Sequence, residues 1–278
     1  MKGNIEVINY TYAVIIPNYN KARYLKQCIL SISNQSLRPN EIIVVDDCST
    51  DNSLEILKDI ANDVPSLKII QLKKNGGVSN ARNEGARNAH SQYLKFIDAD
   101  DFFFGPDNCK KEMDLIRIYK QKKGEDILAY SAVVFSNNDG TVTSKPDIRK
   151  KHKFINGNAT YDLLARLRFS SIANNFMVSR QVFDLSGGFN YPYNFYEDYE
   201  ILIRLSEHVR FFFSGEYGRV YRFTPDGLSK QPRQNHVRAL ENIFNMYYFK
   251  LNLWGKMNTK ARIALRDAKL IFSQLKRE

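Results

Sequence analysis

Three carboxylates, Asp98, Asp100 and Asp101, fall within four residues, directly after the short apolar run Tyr93-Leu-Lys-Phe-Ile97. Carboxylates crowded at a strand end repel one another, and a cation between them removes that penalty. A hard divalent ion with oxygen ligands is the natural candidate. Three further clusters sit in the same kind of place. Ala13-Val-Ile-Ile16 runs into Pro17-Asn18-Tyr19-Asn20, Ile42-Ile-Val-Val45 into Asp46-Asp47, and Leu67-Lys-Ile-Ile-Gln-Leu72 into Lys73-Lys-Asn-Gly-Gly77. A second acid pair, Glu197-Asp198, stands about a hundred residues beyond the first cluster.

The elements that must position these groups follow from periodicity. The apolar runs read as buried strands, and each is followed by a helical pattern. Ala22, Leu25, Ile29 and Ile32 mark one helix face; Leu54, Leu57 and Ala61 mark a second, with Asn52-Ser-Leu-Glu55 expected as its capping box. Ala81, Gly85 and Ala89 mark a third. Alternating strands and helices predict an α/β fold with a mostly parallel central sheet and helices on both faces. Ligands of such sheets bind outside the carboxyl ends of the strands, so the polar clusters are expected to converge.

Composition narrows the partners. With 278 residues, 43% hydrophobic and 13% aromatic, the chain can bury one large core. No stretch has the length of a membrane span, and Met1 to Tyr12 lacks the pattern of a signal peptide. Cys28, Cys48 and Cys109 are odd in number and scattered, which argues against a disulfide framework and fits a reducing cytoplasm. The four histidines, His90, His152, His208 and His236, are isolated and read as ordinary surface or satisfied residues. The net charge of +11 suits an anionic partner. Nucleic acid is not expected, since no nucleic-acid motif is present, and a phosphate-bearing small molecule fits better.

Five motifs in order carry a resemblance: Val14-Ile-Ile-Pro-Asn-Tyr-Asn20, Glu41-Ile-Ile-Val-Val-Asp-Asp-Cys-Ser-Thr-Asp51, Asn75-Gly-Gly-Val-Ser-Asn-Ala-Arg-Asn-Glu-Gly85, Asp98-Ala-Asp-Asp101 and Glu197-Asp-Tyr-Glu200. From about Tyr12 to Leu228 the chain resembles family 2 glycosyltransferases of the GT-A fold. The resemblance implies a GT-A catalytic domain over 1–228, with a nucleotide-binding half at about 12–104 and an acceptor half at about 105–228. Beyond the resemblance, residues 229–278 are expected to form a helical C-terminal extension. The resemblance also implies a metal-dependent, inverting transfer of a sugar from a nucleotide donor, UDP-linked by expectation, to an acceptor hydroxyl in bacterial surface polysaccharide synthesis. A metal-dependent nucleotidyltransferase and a non-catalytic nucleotide-sugar-binding module are the alternatives.

Site roles follow from the same resemblance. Pro17 and Tyr19 are expected against the base, with Tyr19 offering a flat face for stacking. Asp47 is expected to accept the uracil N3 hydrogen, although an acid there could equally serve the next helix start. Arg82 could pair with the diphosphate or with the acidic cluster, and Asp98 matches a contact to the ribose or the metal shell. Asp100 matches the direct ligand of Mn2+ or Mg2+, with Asp98 as its companion; Asp101 is expected to cap the helix near Pro106-Asp107. Asp198 matches the general base, with Glu197 orienting it or touching the acceptor. Relatives often carry a metal-binding histidine where this chain has Thr224, which leaves a third protein ligand open. Arg222 and Ser229 are further phosphate candidates.

Elsewhere, Ile127-Leu-Ala-Tyr-Ser-Ala-Val-Val-Phe135 reads as a core strand, Asn137-Asn-Asp-Gly140 as a hairpin turn, and Lys145 to Lys153 as a polar loop on the acceptor side. Ala261, Leu265, Ala268, Phe272 and Leu275 recur at helical spacing. Lys260, Arg262, Arg266, Lys269 and Lys276 lie among them, and from Lys250 to Glu278 eight Lys and Arg face two acids. Such a helix suits peripheral contact with an anionic membrane bearing lipid-linked acceptors. Packing on the domain or in a homodimer is the plainer expectation.

Overall fold

The computed structural model describes residues 9–150, 154–167, 172, 174–190, 195–225, 227, 232–253 and 255–264. The first half alternates as the pattern predicts: β1 (Tyr12–Asn18), α1 (Ala22–Ser33), β2 (Glu41–Asp46), α2 (Ser53–Asp63), β3 (Leu67–Gln71), α3 (Val78–Asn88) and β4 (Tyr93–Phe96). The second half follows with β5 (Phe102–Phe103), α4 (Asn108–Lys123), β6 (Ile127–Ser136), β7 (Val142–Ser144), α5 (Thr160–Leu164), β8 (Phe176–Ser179), α6 (Arg180–Leu185), α7 (Glu197–Leu205), β9 (Arg210–Arg222) and α8 (Arg233–Tyr247). Residues 255–264 are helical as well.

Among the described residues nine strands make one sheet, in the order β3-β2-β1-β4-β8-β6-β9-β5, with β7 on β6. The first four strands are parallel. The second half joins through antiparallel β4–β8 and β8–β6 pairs and returns to parallel pairing between β6 and β9. Both faces of the parallel part are covered. Ala13, Ile15, Ile43 and Val45 face a core shared with α3, α7 and α8, while Val14, Ile16, Ile42 and Val44 face α1, α2 and α4. This two-sided burial is why these strands read as unbroken apolar runs.

Local chemistry fixes the helix positions. Gly85 lets α3 lie directly on the sheet, since a Cβ there would run into the Ile15 methyl and press on Val45 Cγ2 at 3.3 Å. The expected capping box at Asn52 does not form. Asp51 does that work instead, accepting from the Ser53 N–H at 3.0 Å and, with its other oxygen, from the Ala22 N–H of α1 at 3.1 Å. Leu54 and Ala61 are only half-buried, because Ile60 takes the inner position beside Leu57. The predicted hairpin at Asn137 is present, closed by the Asn137 N–H to Thr141 carbonyl bond at 2.9 Å. Cys28, Cys48 and Cys109 are free thiols.

Candidate active site

The strand order reverses between β1 and β4, and there the sheet opens. The Ile97 N–H donates to the Ile15 carbonyl at 3.1 Å; beyond it the chain turns off at Asp98, and Pro17, with no N–H to offer, lines the gap. A cavity of about 700 Å³ lies in this crevice. It brings together Pro17, Tyr19, Asp47, Arg82, Asp98, Asp100, Glu197 and Asp198, which line it with Arg222. The described part of the basic loop, residues 145–150, does not.

Asp46 and Asp47 divide their work. Buried Asp46 accepts from the Asn18 amide at 2.8 Å and the Ser49 N–H at 3.1 Å, locking the ends of β1 and β2 together. Asp47 grips the next turn, one oxygen accepting from the Gly76 N–H and the other from the Gly77 N–H, each at 2.8 Å. Gly77 has φ 83° at the start of α3, a conformation that favours glycine. The carboxylate therefore fixes the wall of the cavity while each oxygen retains a further lone pair. Tyr19 is 46% exposed, leaving a ring face open to the cavity.

Two arginines organise the acidic cluster. Arg82, buried on α3, donates to Asp98 Oδ1 and to Glu197 Oε1, both at 2.6 Å, and lies over the Phe189 ring. Arg219, buried on β9, reaches Asp98 Oδ2 at 3.2 Å and Asp101 Oδ2 at 3.3 Å. Burial pushes Asp98 up, but the two guanidiniums outweigh it and hold the carboxyl below its ordinary value. Asp100 is different. Burial and the Asp98 charge raise it, against the single ion pair with Lys21 at 3.2 Å. Asp101 does not cap α4, whose N-cap position is Asp107; it accepts from the Arg222 N–H at 2.9 Å and so ties the cluster to the end of β9.

Glu197 and Asp198 open α7, next to Tyr196 in a left-handed conformation at φ 63°. Glu197 is buried against Arg82. Asp198 stays partly open to the cavity. Burial and the neighbouring Glu197 charge push its carboxyl up to about 7, with Arg82 and Arg219 pulling the other way. A carboxyl poised there is suited to taking a proton near neutral pH.

The sequence model described as glycosyl transferase family 2 matches residues 13–185. The chain belongs to glycosyltransferase family 2. The minor teichoic acid biosynthesis protein GgaB of Bacillus subtilis is 38% identical over 128 residues, which are 41% of this chain and 14% of GgaB. The glycosyltransferase EpsJ of the same organism is 27% identical over 231 residues, 79% of this chain and 63% of EpsJ. The chain thus spans less than two thirds of either protein. Among solved structures, Staphylococcus aureus TarS 1-349 in complex with UDP-GlcNAc superposes with a TM-score of 0.61 at 18% identity, covering 84% of this chain and 65% of TarS 1-349. That likeness establishes the fold.

In this glycosyltransferase the carboxylates are unequal candidates for a metal. Asp98 has both oxygens engaged by Arg82, Arg219 and, at 3.4 Å, Asn174. Asp100 carries a raised carboxyl that a cation would lower, so the residues fit an ion held by one protein carboxylate. Among the described residues no group of three or more His, Cys, Asp and Glu side chains could hold a metal by itself. Thr224, at the position where relatives often carry a histidine, lines the cavity. Arg222 is not poised for phosphate: it donates to the Asp100 carbonyl at 2.7 Å, the Asn138 carbonyl at 2.9 Å and Gln27. Ser229, Leu265, Arg266, Ala268, Lys269, Phe272, Leu275 and Lys276 lie outside the described residues.

Sequence reasoning missed Arg219, Lys21 and His236. Arg219 carried no signal beyond its neighbour Gly218, which lets β9 approach Asn175 and Ser131 closely. Lys21 stood beside the first strand end and was legible as a cation facing Asp100. His236 is a satisfied residue as expected, hydrogen-bonded to the Tyr196 hydroxyl, and it also reaches the cavity from α8.

Proposed function

We propose that the enzyme transfers a sugar from a UDP donor to a hydroxyl of a glycan or lipid-linked acceptor, with inversion, in bacterial surface polysaccharide synthesis. One observation carries this reading: a carboxyl raised to about 7, Asp198, shares a cavity with an exposed aromatic, Tyr19, and an under-compensated carboxylate, Asp100. The names of the relatives support the chemistry, GgaB through teichoic acid synthesis and TarS through its UDP-GlcNAc complex.

In this mechanism Tyr19 stacks on the base and Asp47 accepts the N3 hydrogen with a remaining lone pair. Asp98, held by two arginines, faces the ribose or the metal shell, and Asp100 faces the diphosphate. A Mn2+ or Mg2+ ion bound there would supply Lewis-acid neutralisation of the leaving diphosphate. Asp198 takes the proton of the acceptor hydroxyl. The oxygen forms its bond to the anomeric carbon from the face opposite the diphosphate, the bond to the diphosphate oxygen breaks, and that oxygen keeps the electron pair. Glu197 and Arg82 hold the start of α7 so that Asp198 faces the acceptor.

Among the described residues no helix is long and apolar enough to cross a membrane. For a lipid-linked acceptor, the exposed Phe249, Leu253 and Met257, set among Lys250, Lys256 and Lys260, suit an anionic bilayer at the cytoplasmic face.

Incubation with a panel of UDP-sugars tests the reading, with product anomers assigned by proton NMR. Release of UDP and an inverted product are expected. Binding without UDP release would favour a carrier module, and pyrophosphate release from a nucleoside triphosphate and a sugar 1-phosphate would favour a nucleotidyltransferase.

A further inference from the structure

The acceptor end of the cavity has a wall that comes from outside the segment matched by the family model. His236, on α8, stands with Phe195 and Tyr196 from the residues just before α7. The Tyr196 hydroxyl and His236 Nδ1 are hydrogen-bonded at 3.2 Å. The Phe195 and His236 rings meet edge to face, 4.5 Å between centroids and 71° apart, and Phe195 meets Tyr196 at 4.6 Å and 63°. The three rings are half-buried, so they brace one another while keeping surface toward the cavity.

This wall is anchored, not loose. On α8, Leu240, Ile243 and Phe244 join the same core as Ile201, Leu202 and Leu205 of α7. The Tyr247 hydroxyl donates to Glu200 on α7, which also holds Arg204 at 2.6 Å. Helix α8 and the helix carrying Asp198 therefore form one packed unit. Tyr196 stands two residues before Asp198, which sets the wall beside the base.

We propose that Phe195, Tyr196 and His236 form the acceptor subsite, a wall against which a neutral pyranose ring packs its C–H face so that one hydroxyl meets Asp198. Aromatic faces take such apolar sugar faces well, and nearby polar tips orient the hydroxyls. Among the described residues, the buried arginines of the site, Arg82 and Arg219, are committed to Asp98, Asp101 and Glu197, so this end offers ring faces and polar tips. The inference rests on the proposed transfer for its orientation toward Asp198, but its contact with a sugar ring is testable without turnover.

Saturation-transfer NMR on the full chain, irradiating the aromatic protons, reads that contact directly. The probes are UDP with methyl glucoside, methyl galactoside, methyl N-acetylglucosaminide and glycerol 3-phosphate. Ring protons of at least one pyranoside receive saturation in the wild type. Phe195→Ala and His236→Ala reduce that signal at least fivefold, and Tyr196→Phe, which keeps the ring but breaks the tie to His236, reduces it less. UDP signals persist in all variants, which shows that they fold. Equal pyranoside signals in wild type and both alanine variants, no signal from any pyranoside, or saturation of glycerol 3-phosphate in their place would overturn the wall. Loss of UDP signals in the wild type would instead contradict the donor assignment and leave the pyranoside result to decide the wall by itself.

Discussion

The two halves of the cavity hold their functional groups by different means. On the donor side, Asp46, Asp47 and Asp51 are fixed by bonds to Asn18, Ser49, Gly76, Gly77 and Ser53, all within one run of β/α units. On the acceptor side, Glu197 is held by Arg82 across 115 residues, and at the seam with the donor side Asp98 is held by Arg219 across 121. The donor-side groups are built into the local backbone; Asp198, the proposed base, is carried on a helix tied in place by the long-range Arg82–Glu197 ion pair.

The comparison breaks most sharply at Arg82. Arg82→Ala leaves the buried Glu197 without its arginine and Asp98 with Arg219 and Asn174 alone, and a loss of about 3–5 kcal/mol is expected in chemical denaturation. Arg82→Lys recovers only part, because one ammonium cannot span two carboxylates as the guanidinium fork does. A loss below 1 kcal/mol for Arg82→Ala would show that the halves are joined elsewhere.

On the donor side, Asp47→Ala is expected to weaken UDP by roughly 1–3 kcal/mol, the scale of a charged hydrogen bond. Calorimetry with GDP separates its two tasks. A role confined to the Gly76–Gly77 turn weakens both nucleotides alike, while reading uracil weakens UDP more. Manganese should tighten UDP binding on the order of tenfold, about 1.4 kcal/mol, and Asp100→Ala should remove that gain. Equal affinity with manganese and with chelator would contradict the role of Asp100.

How much of this was legible follows the same division. The donor half could be read because strand ends, helix stripes and Gly85 are all local signals. Asp51 displaced the expected cap at Asn52 because a carboxylate between two helix starts can serve both. In the acceptor half the strand over residues 127–135 and the turn at Asn137 were legible from local pattern, but the site residues were legible only where a motif marked them. Arg219 and His236 gain their meaning from pairing of β9 with β6 and from packing of α8 on α7, and neither leaves a periodic trace. Lys95 was a visible warning, a lysine inside an apolar strand; it is paired in the core with Glu112 at 2.6 Å.

The smallest expected effect concerns stability. Asp198 titrates near 7 in the folded protein, above its ordinary value of 3.8, so the native state holds the extra proton. Its contribution therefore falls as pH rises from about 4 to 7. Asp198→Asn removes that penalty and should match the wild type in thermal stability at pH 4 yet exceed it at pH 8. Equal thermal stability of the two proteins at pH 8 would argue against the raised carboxyl.

The transfer rate of Asp198→Asn, with UDP affinity measured on the same samples, tests the central claim most directly. The side chain keeps its shape but cannot take a proton. Transfer should fall by roughly 10²–10⁴-fold, the usual share of general-base catalysis, with UDP affinity unchanged and with the wild-type rate declining below pH 7. Transfer at near wild-type rate would contradict the assignment and pass the role of base to Glu197.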